Sequence, residues 1–137
     1  MDRARPNSVF DPYPDPLYLA QDVVGLQLDA LQNNDLVPGD GGIRIAYRFA
    51  SPKNREAFGT IDDFIQVVKS PLYAPLIGFE KAELGAVRAT FSGEQVWQQA
   101  WVYRGGRARG VFRWILSRQA EGEYSGCWMV DAVIRTM

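Results

Sequence analysis

The 137-residue chain contains no histidine and a single cysteine, Cys127. The missing histidine excludes imidazole acid–base chemistry and every metal site that needs an imidazole ligand. One cysteine excludes a disulfide within the chain and suits a reducing compartment, so a cytoplasmic setting is expected. Neither sign of charge is in excess: 15 basic against 16 acidic residues leave a net charge of −1. That balance argues against general binding to nucleic acid or to an anionic membrane surface, which requires surplus positive charge. No apolar run is long enough to cross a bilayer, and the opening MDRARPNSVFDPYPDP lacks the apolar centre of a signal peptide. The acidic residues within apolar segments are too sparse to form a carboxylate cluster, so neither a metal nor a cofactor is expected.

What the chain has is bulk: four Trp, six Tyr and seven Phe, enough to build one core. Residues 1–15 read as a tail, since Pro6, Pro12 and Pro14 fix φ and remove donors, with Phe10, Tyr13 and Tyr18 as anchors onto the body. Residues 16–137 read as a single domain. Asp15-Pro16 reads as the N-cap and first position of a helix that runs to about Asn33, with Ala20, Val24, Leu28 and Leu31 at helical spacing. A second helix follows Asp40 on the stripe Ile43, Ala46, Tyr47 and Ala50, ending before Pro52, with one further short turn through Asn54-Arg55. Thr60 and Asp63 form a capping box for a third helix carrying Ile61, Phe64, Ile65 and Val68. PLYAPLIG, residues 71–78, reads as an apolar crossover. Beyond Gly78 the pattern is strands cut by glycines: a bulged strand pair around Gly85, then residues 95–104, then a hairpin. This order predicts an α+β fold, with three N-terminal helices on a strongly curved antiparallel sheet of four to six strands.

The hairpin, residues 110–133, organises the expectation. A two-residue turn at Glu121-Gly122 would pair Trp114 with Met129, Leu116 with Cys127, Phe112 with Asp131 and Arg118 with Ser125. One face would then carry Trp114, Leu116 and Met129. The other would carry Arg113, Ile115, Tyr124, Trp128 and Val130.

Helices followed by a long bent meander resemble the cone-shaped nuclear transport factor 2-like superfamily. Five stretches are similar to one uncharacterised family within it, a domain of unknown function: QLDALQNND, GIRIAYRFASPKNR, SPLYAPLIG, WILSRQ and GCWMVDAV. Where that family usually carries Thr-Gly-Pro, this chain has Ala57-Phe58-Gly59-Thr60-Ile61, a change confined to a loop. The resemblance implies the cone fold and a soluble setting, cytoplasmic or, in a photosynthetic eukaryote, the plastid stroma. It implies no activity, because fold does not decide function.

Such a cone often holds a pocket between helices and sheet. The expected lining is Tyr47, Trp114, Arg118, Met129 and Asp131, with Asp131 the candidate for chemistry because burial beside Trp114 would raise its pKa. The alternative is a structural Asp131, bonded to Tyr47, Arg44 or backbone amides. Arg118 is too far along the hairpin to pair with Asp131, by roughly 20 Å at about 3.3 Å per residue. It needs a helix terminus, a carboxylate or an anionic ligand. Cys127 reads as a small buried hydrophobe, and RGGRARG, residues 104–110, as a glycine-rich hairpin loop rather than an RNA-binding segment. Trp97, Trp101 and Tyr103 alternate on one side of their strand, as core or interface. Two functions are therefore carried forward: a non-catalytic binding or scaffold domain acting through its sheet, and a small-molecule binder or isomerase-like enzyme using the pocket. The expected partner is a second copy, or an unidentified protein, covering the face of Arg113, Ile115, Tyr124, Trp128 and Val130.

Overall fold

The computed structural model describes residues 11–137. Four helices precede the strands: α1 (Ala20–Gln32), α2 (Gly41–Arg48), α3 (Pro52–Phe58) and α4 (Ile61–Lys69). Five strands follow: β1 (Lys81–Leu84), β2 (Arg88–Ala89), β3 (Gln95–Arg104), β4 (Arg107–Arg118) and β5 (Trp128–Arg135). They form one antiparallel sheet ordered β1-β3-β4-β5, with β2 also on β3. The α+β class and the order of helices before a curved sheet are as expected. Most of the expected tail, Phe10 included, lies outside the described residues. Its last part is held, because Arg48 pairs with Asp11 at 2.7 Å and stacks over the Tyr13 ring at 4.0 Å.

Local chemistry explains the helix limits. The Asp15 carboxylate takes the Leu17 N–H at 2.9 Å and its carbonyl the Tyr18 N–H, which makes an isolated turn rather than a helix start. α1 therefore begins four residues later than expected, at Ala20, where the Asp22 side chain reaches back to the Leu19 N–H at 2.8 Å. The short turn after Pro52 is a full seven-residue helix, capped by Ser51 Oγ on the Asn54 N–H, so the helices number four rather than three. The capping box of α4 forms as read: Thr60 Oγ1 accepts from the Asp63 N–H, and the Asp63 carboxylate accepts from the Thr60 N–H. α1 and α2 cross closely at Gly42, where a Cβ would stand 2.0 Å from the Ala30 carbonyl oxygen.

The β4–β5 register differs from the expected one. Glu121-Gly122 does not close a two-residue turn. Ser125 N–H bonds to the Gly122 carbonyl and Gly126 N–H to the Gln119 carbonyl, with both glycines at φ +85°. The wider loop delays pairing by three positions, so Leu116 faces Val130, Ser117 faces Met129 and Arg118 faces Trp128. An odd shift exchanges the two faces of a strand. Val130 and Trp128 therefore join Trp114 and Leu116, whereas Met129 moves to the opposite face. A bulge between Ile115 and Leu116 then leaves Asp131 as the extra residue. Past it, Ile115 faces Ala132 and Trp114 faces Val133. Strands β3 and β4 are joined by Gly105-Gly106, both at positive φ, so the hairpin loop is only these two residues and Arg107 to Gly110, read as part of the loop, belong to β4. β1 and β2 break at Gly85, the expected irregularity, and Gly85 N–H still bonds to the Gln99 carbonyl.

The helices cover one face of the sheet. Val24, Leu28, Ile43, Phe49, Phe64 and Leu76 meet Ala100, Val102, Phe112, Trp114, Leu116 and Val130 in one core. A buried polar chain runs through it: the Trp114 indole N–H donates to Gln27 Oε1 at 2.6 Å, and Gln27 Nε2 donates to the Ala46 carbonyl at 2.8 Å.

Candidate functional site

β5 ends the strand order of the described sheet, and the link between α2 and α3 closes against its outer edge. The link between α2 and α3 passes as a single parallel bridge, Ala50 to Val130. There the Val130 N–H bonds to the Phe49 carbonyl at 2.7 Å and the Ser51 N–H to the Val130 carbonyl at 2.8 Å. Beyond that bridge, towards Ile134, no strand among the described residues covers the outer edge of β5. The space left between β5, the helices and the crossover is a cavity of about 300 Å³.

Each wall follows from the local sequence. The stripe of α4 contributes Phe64, Val67 and Val68, and α1 and α2 contribute Gln27, Leu31 and Ala46. α3 contributes Asn54 and Phe58, and the crossover contributes Tyr73 and Leu76. Trp114 forms the floor, with Val130, Ala132, Val133 and Ile134 along the edge strand. Val67 and Ile134 are exposed and mark the mouth, whereas Trp114, Val130 and Leu76 are buried. Phe58 meets Phe64 edge-on at 5.1 Å, joining α3 to α4 across one wall.

The polar groups of this lining are already engaged. Gln27 is bonded at both ends, Asn54 Nδ2 donates to the Val130 carbonyl at 3.2 Å, and the Tyr73 hydroxyl donates to the Val133 carbonyl at 2.8 Å. Burial raises the Tyr73 pKa above the ordinary tyrosine value, so its proton stays on that bond at neutral pH. No Asp, Glu, Lys, Arg or Cys lines the cavity. It can desolvate and hold an apolar molecule, but it presents no base near neutrality and no free donor to a developing charge.

Of the expected pocket residues, only Trp114 lines this cavity. Asp131, the bulge residue, lies on the outer face, where its carboxylate accepts from Gln95 Nε2 at 3.1 Å. Met129 is fully buried but sits opposite Ser117, away from Trp114. Arg118 is exposed and donates to the Gly126 carbonyl of its own hairpin loop at 3.3 Å. Tyr47 packs on Phe64 at 5.2 Å beneath the Arg55 guanidinium, outside the lining. The expected interface set is divided as well. Arg113 and Ile115 are on the outer face, Val130 and Trp128 turn towards the core, and Tyr124 sits in the hairpin loop under Arg55 at 5.5 Å. All the other lining residues, Tyr73, Val68 and Val133 among them, were missed by sequence reasoning. The only available signal was a lone polar tip, Tyr73, in the otherwise apolar stretch LYAPLI.

Among the described residues no helix is long and apolar enough to cross a membrane, and no group of three or more Cys, Asp or Glu is placed to hold a metal ion. No curated protein and no solved structure is significantly similar to this chain. A family model does match, over residues 19–136, and takes in every helix and strand described above. The chain therefore belongs to the family described as Domain of unknown function (DUF4864).

Proposed function

We propose that this domain is a non-catalytic binder that takes a small apolar molecule into the cavity between its helices and the free edge of β5. The observation that carries the reading is the lining itself. It is apolar and uncharged, and none of its residues leaves a buried polar side-chain atom without a partner. A ligand there gains from desolvation and shape and displaces no required hydrogen bond. The volume, about 300 Å³, is roughly twice that of a cavity that holds one benzene. Two fused rings, or an acyl chain of similar bulk, match it. The position of the cavity between helices and sheet also supports the nuclear transport factor 2-like reading, in which the cone encloses its ligand. Asp131 has no part in this proposal, since it faces away from the cavity.

Titration with 1-anilinonaphthalene-8-sulfonate, followed by competition with naphthalene, tests the proposal. The expected result is single-site enhancement, displacement by naphthalene, and a naphthalene-dependent rise in Tm. Val68→Phe, which fills the cavity from α4, should abolish the enhancement while the protein remains folded by circular dichroism. Probe binding unchanged in Val68→Phe, or no Tm shift at saturating naphthalene, refutes it.

A further inference from the structure

The helices leave the other face of the sheet uncovered, and its chemistry is unlike that of the cavity. β3 turns Trp97, Trp101 and Tyr103 outward at alternate positions, and all three are only half-buried. Trp101 and Tyr103 are two residues apart, about 6.6 Å along the strand. Gly85 keeps the space beside Trp101 open, since a Cβ there would touch the indole at 3.4 Å. Cations flank this row. Arg88 lies directly across from Trp97 in the ladder, and the Arg113 guanidinium sits 4.0 Å over the Trp97 ring.

Among the described residues these cations have little to engage them. Arg113 leaves its buried Nε without a hydrogen bond. Neither Arg88 nor Arg113 has a carboxylate partner among the described residues. Arg104 and Arg107, paired across the hairpin, alternate to the other side of the sheet, where the Arg104 guanidinium donates to the Gly78 carbonyl, and they take no part in this row. The carboxylates of this face are already engaged: Glu83 by the Tyr103 hydroxyl at 2.8 Å and by Lys81, Asp131 by Gln95. The net charge of −1 hides a separation along the chain. Residues 79–137 hold eight basic and six acidic side chains, and residues 1–78 hold seven basic and ten acidic. Local field, rather than net charge, governs what a face attracts.

We propose that this outer face binds single-stranded nucleic acid, with Trp97, Trp101 and Tyr103 as a stacking platform and Arg88 and Arg113 as phosphate contacts. Alternating aromatics on a central strand of an open sheet accept bases irrespective of sequence, and flanking guanidinium groups track the backbone. A duplex hides its base faces and gains nothing from the rings. The site is separate from the cavity and does not depend on it.

Fluorescence anisotropy of labelled 15-mer oligo-dT and oligo-U with the full chain tests this. The expected result is saturable binding with a log–log salt slope near about −1.4, as for two phosphates at ~0.7 each. Trp101→Ala should weaken it by between about 5-fold and about 150-fold, the loss of one stacked base, and Trp101→Phe should restore most of it. Arg113→Gln should weaken binding and flatten the salt slope, while the cavity variant Val68→Phe should bind as the unmutated protein does. All variants are checked for folding by circular dichroism. No anisotropy change at 100 micromolar protein in about 50 mM salt, equal affinity for duplex DNA, or a Trp101→Ala variant that binds normally would each overturn the proposal. So would a stable dimer in sedimentation that Trp101→Glu dissociates, because a second copy would then occupy the face.

Discussion

Replacing Gln27 by Leu removes the centre of the buried polar chain through Trp114 and Ala46 while keeping the shape of the side chain. Gln27 accepts from the Trp114 indole and donates to the Ala46 carbonyl, and both Gln27 and Trp114 are buried. The Ala46 carbonyl keeps a second donor, the Phe49 N–H at 3.1 Å, so its loss is small. The indole N–H has no second acceptor and is left unpaired in the core, which costs about 1–3 kcal/mol. Trp114→Phe removes that donor, orphans Gln27 Oε1, and opens space at the floor of the cavity, for about 2–4 kcal/mol. The double variant has no unpaired group left, so it should cost about 1–2 kcal/mol less than the sum of the singles. Urea unfolding of all four proteins measures this, read as midpoint shifts at constant m. Additivity within about 0.5 kcal/mol would refute the assignment of this hydrogen bond as the link between α1 and the sheet.

Gly42→Ala should destabilise by about 3 kcal/mol or more, because the new methyl would meet the Ala30 carbonyl oxygen at 2.0 Å. The same change at Gly25, mid-α1 with nothing within 4 Å, should stabilise by about 0.5–1 kcal/mol; thermal unfolding compares the pair. Ser51→Ala deletes the cap of α3 and should cost about 1 kcal/mol, seen as faster amide exchange across residues 52–58. Asp40 is held below the usual carboxylate pKa by its hydrogen bonds from Lys69 and Asn34. A depressed folded pKa means that its contribution is complete above the unfolded value and disappears as pH falls through the folded one. Asp40→Asn, which tolerates the left-handed backbone there, should therefore be less stable than the parent near neutrality and match it in strong acid. A constant gap across urea melts from pH 7 to pH 2 would contradict this.

Local chemistry made much of the fold legible. The stripes Ala20–Leu31, Ile43–Ala46 and Phe64–Val68 and the Thr60–Asp63 box each act within a few residues, and each forms as read, while the loop read over residues 104–110 tightens to Gly105-Gly106. Asp15-Pro16 failed as a helix start because an Asx turn satisfies the same carboxylate at lower cost. The candidate site was much less legible, since it depended on register. Strand pairing is fixed by a loop whose closure uses Gly122, Tyr124 and Gly126 against Pro16 and Arg55, contacts far apart in sequence. A three-residue delay there exchanged Cys127 for Val130 opposite Leu116 and turned Asp131 outward at the bulge. What the sequence alone determined was the set of elements, because helix periods, caps and glycine turns are short-range. Only the tertiary structure decided which face each β5 side chain took and where the cavity opened. Those depend on the balance of bonds between β5, the α2–α3 link and the crossover, and none of them is visible within a single segment of chain.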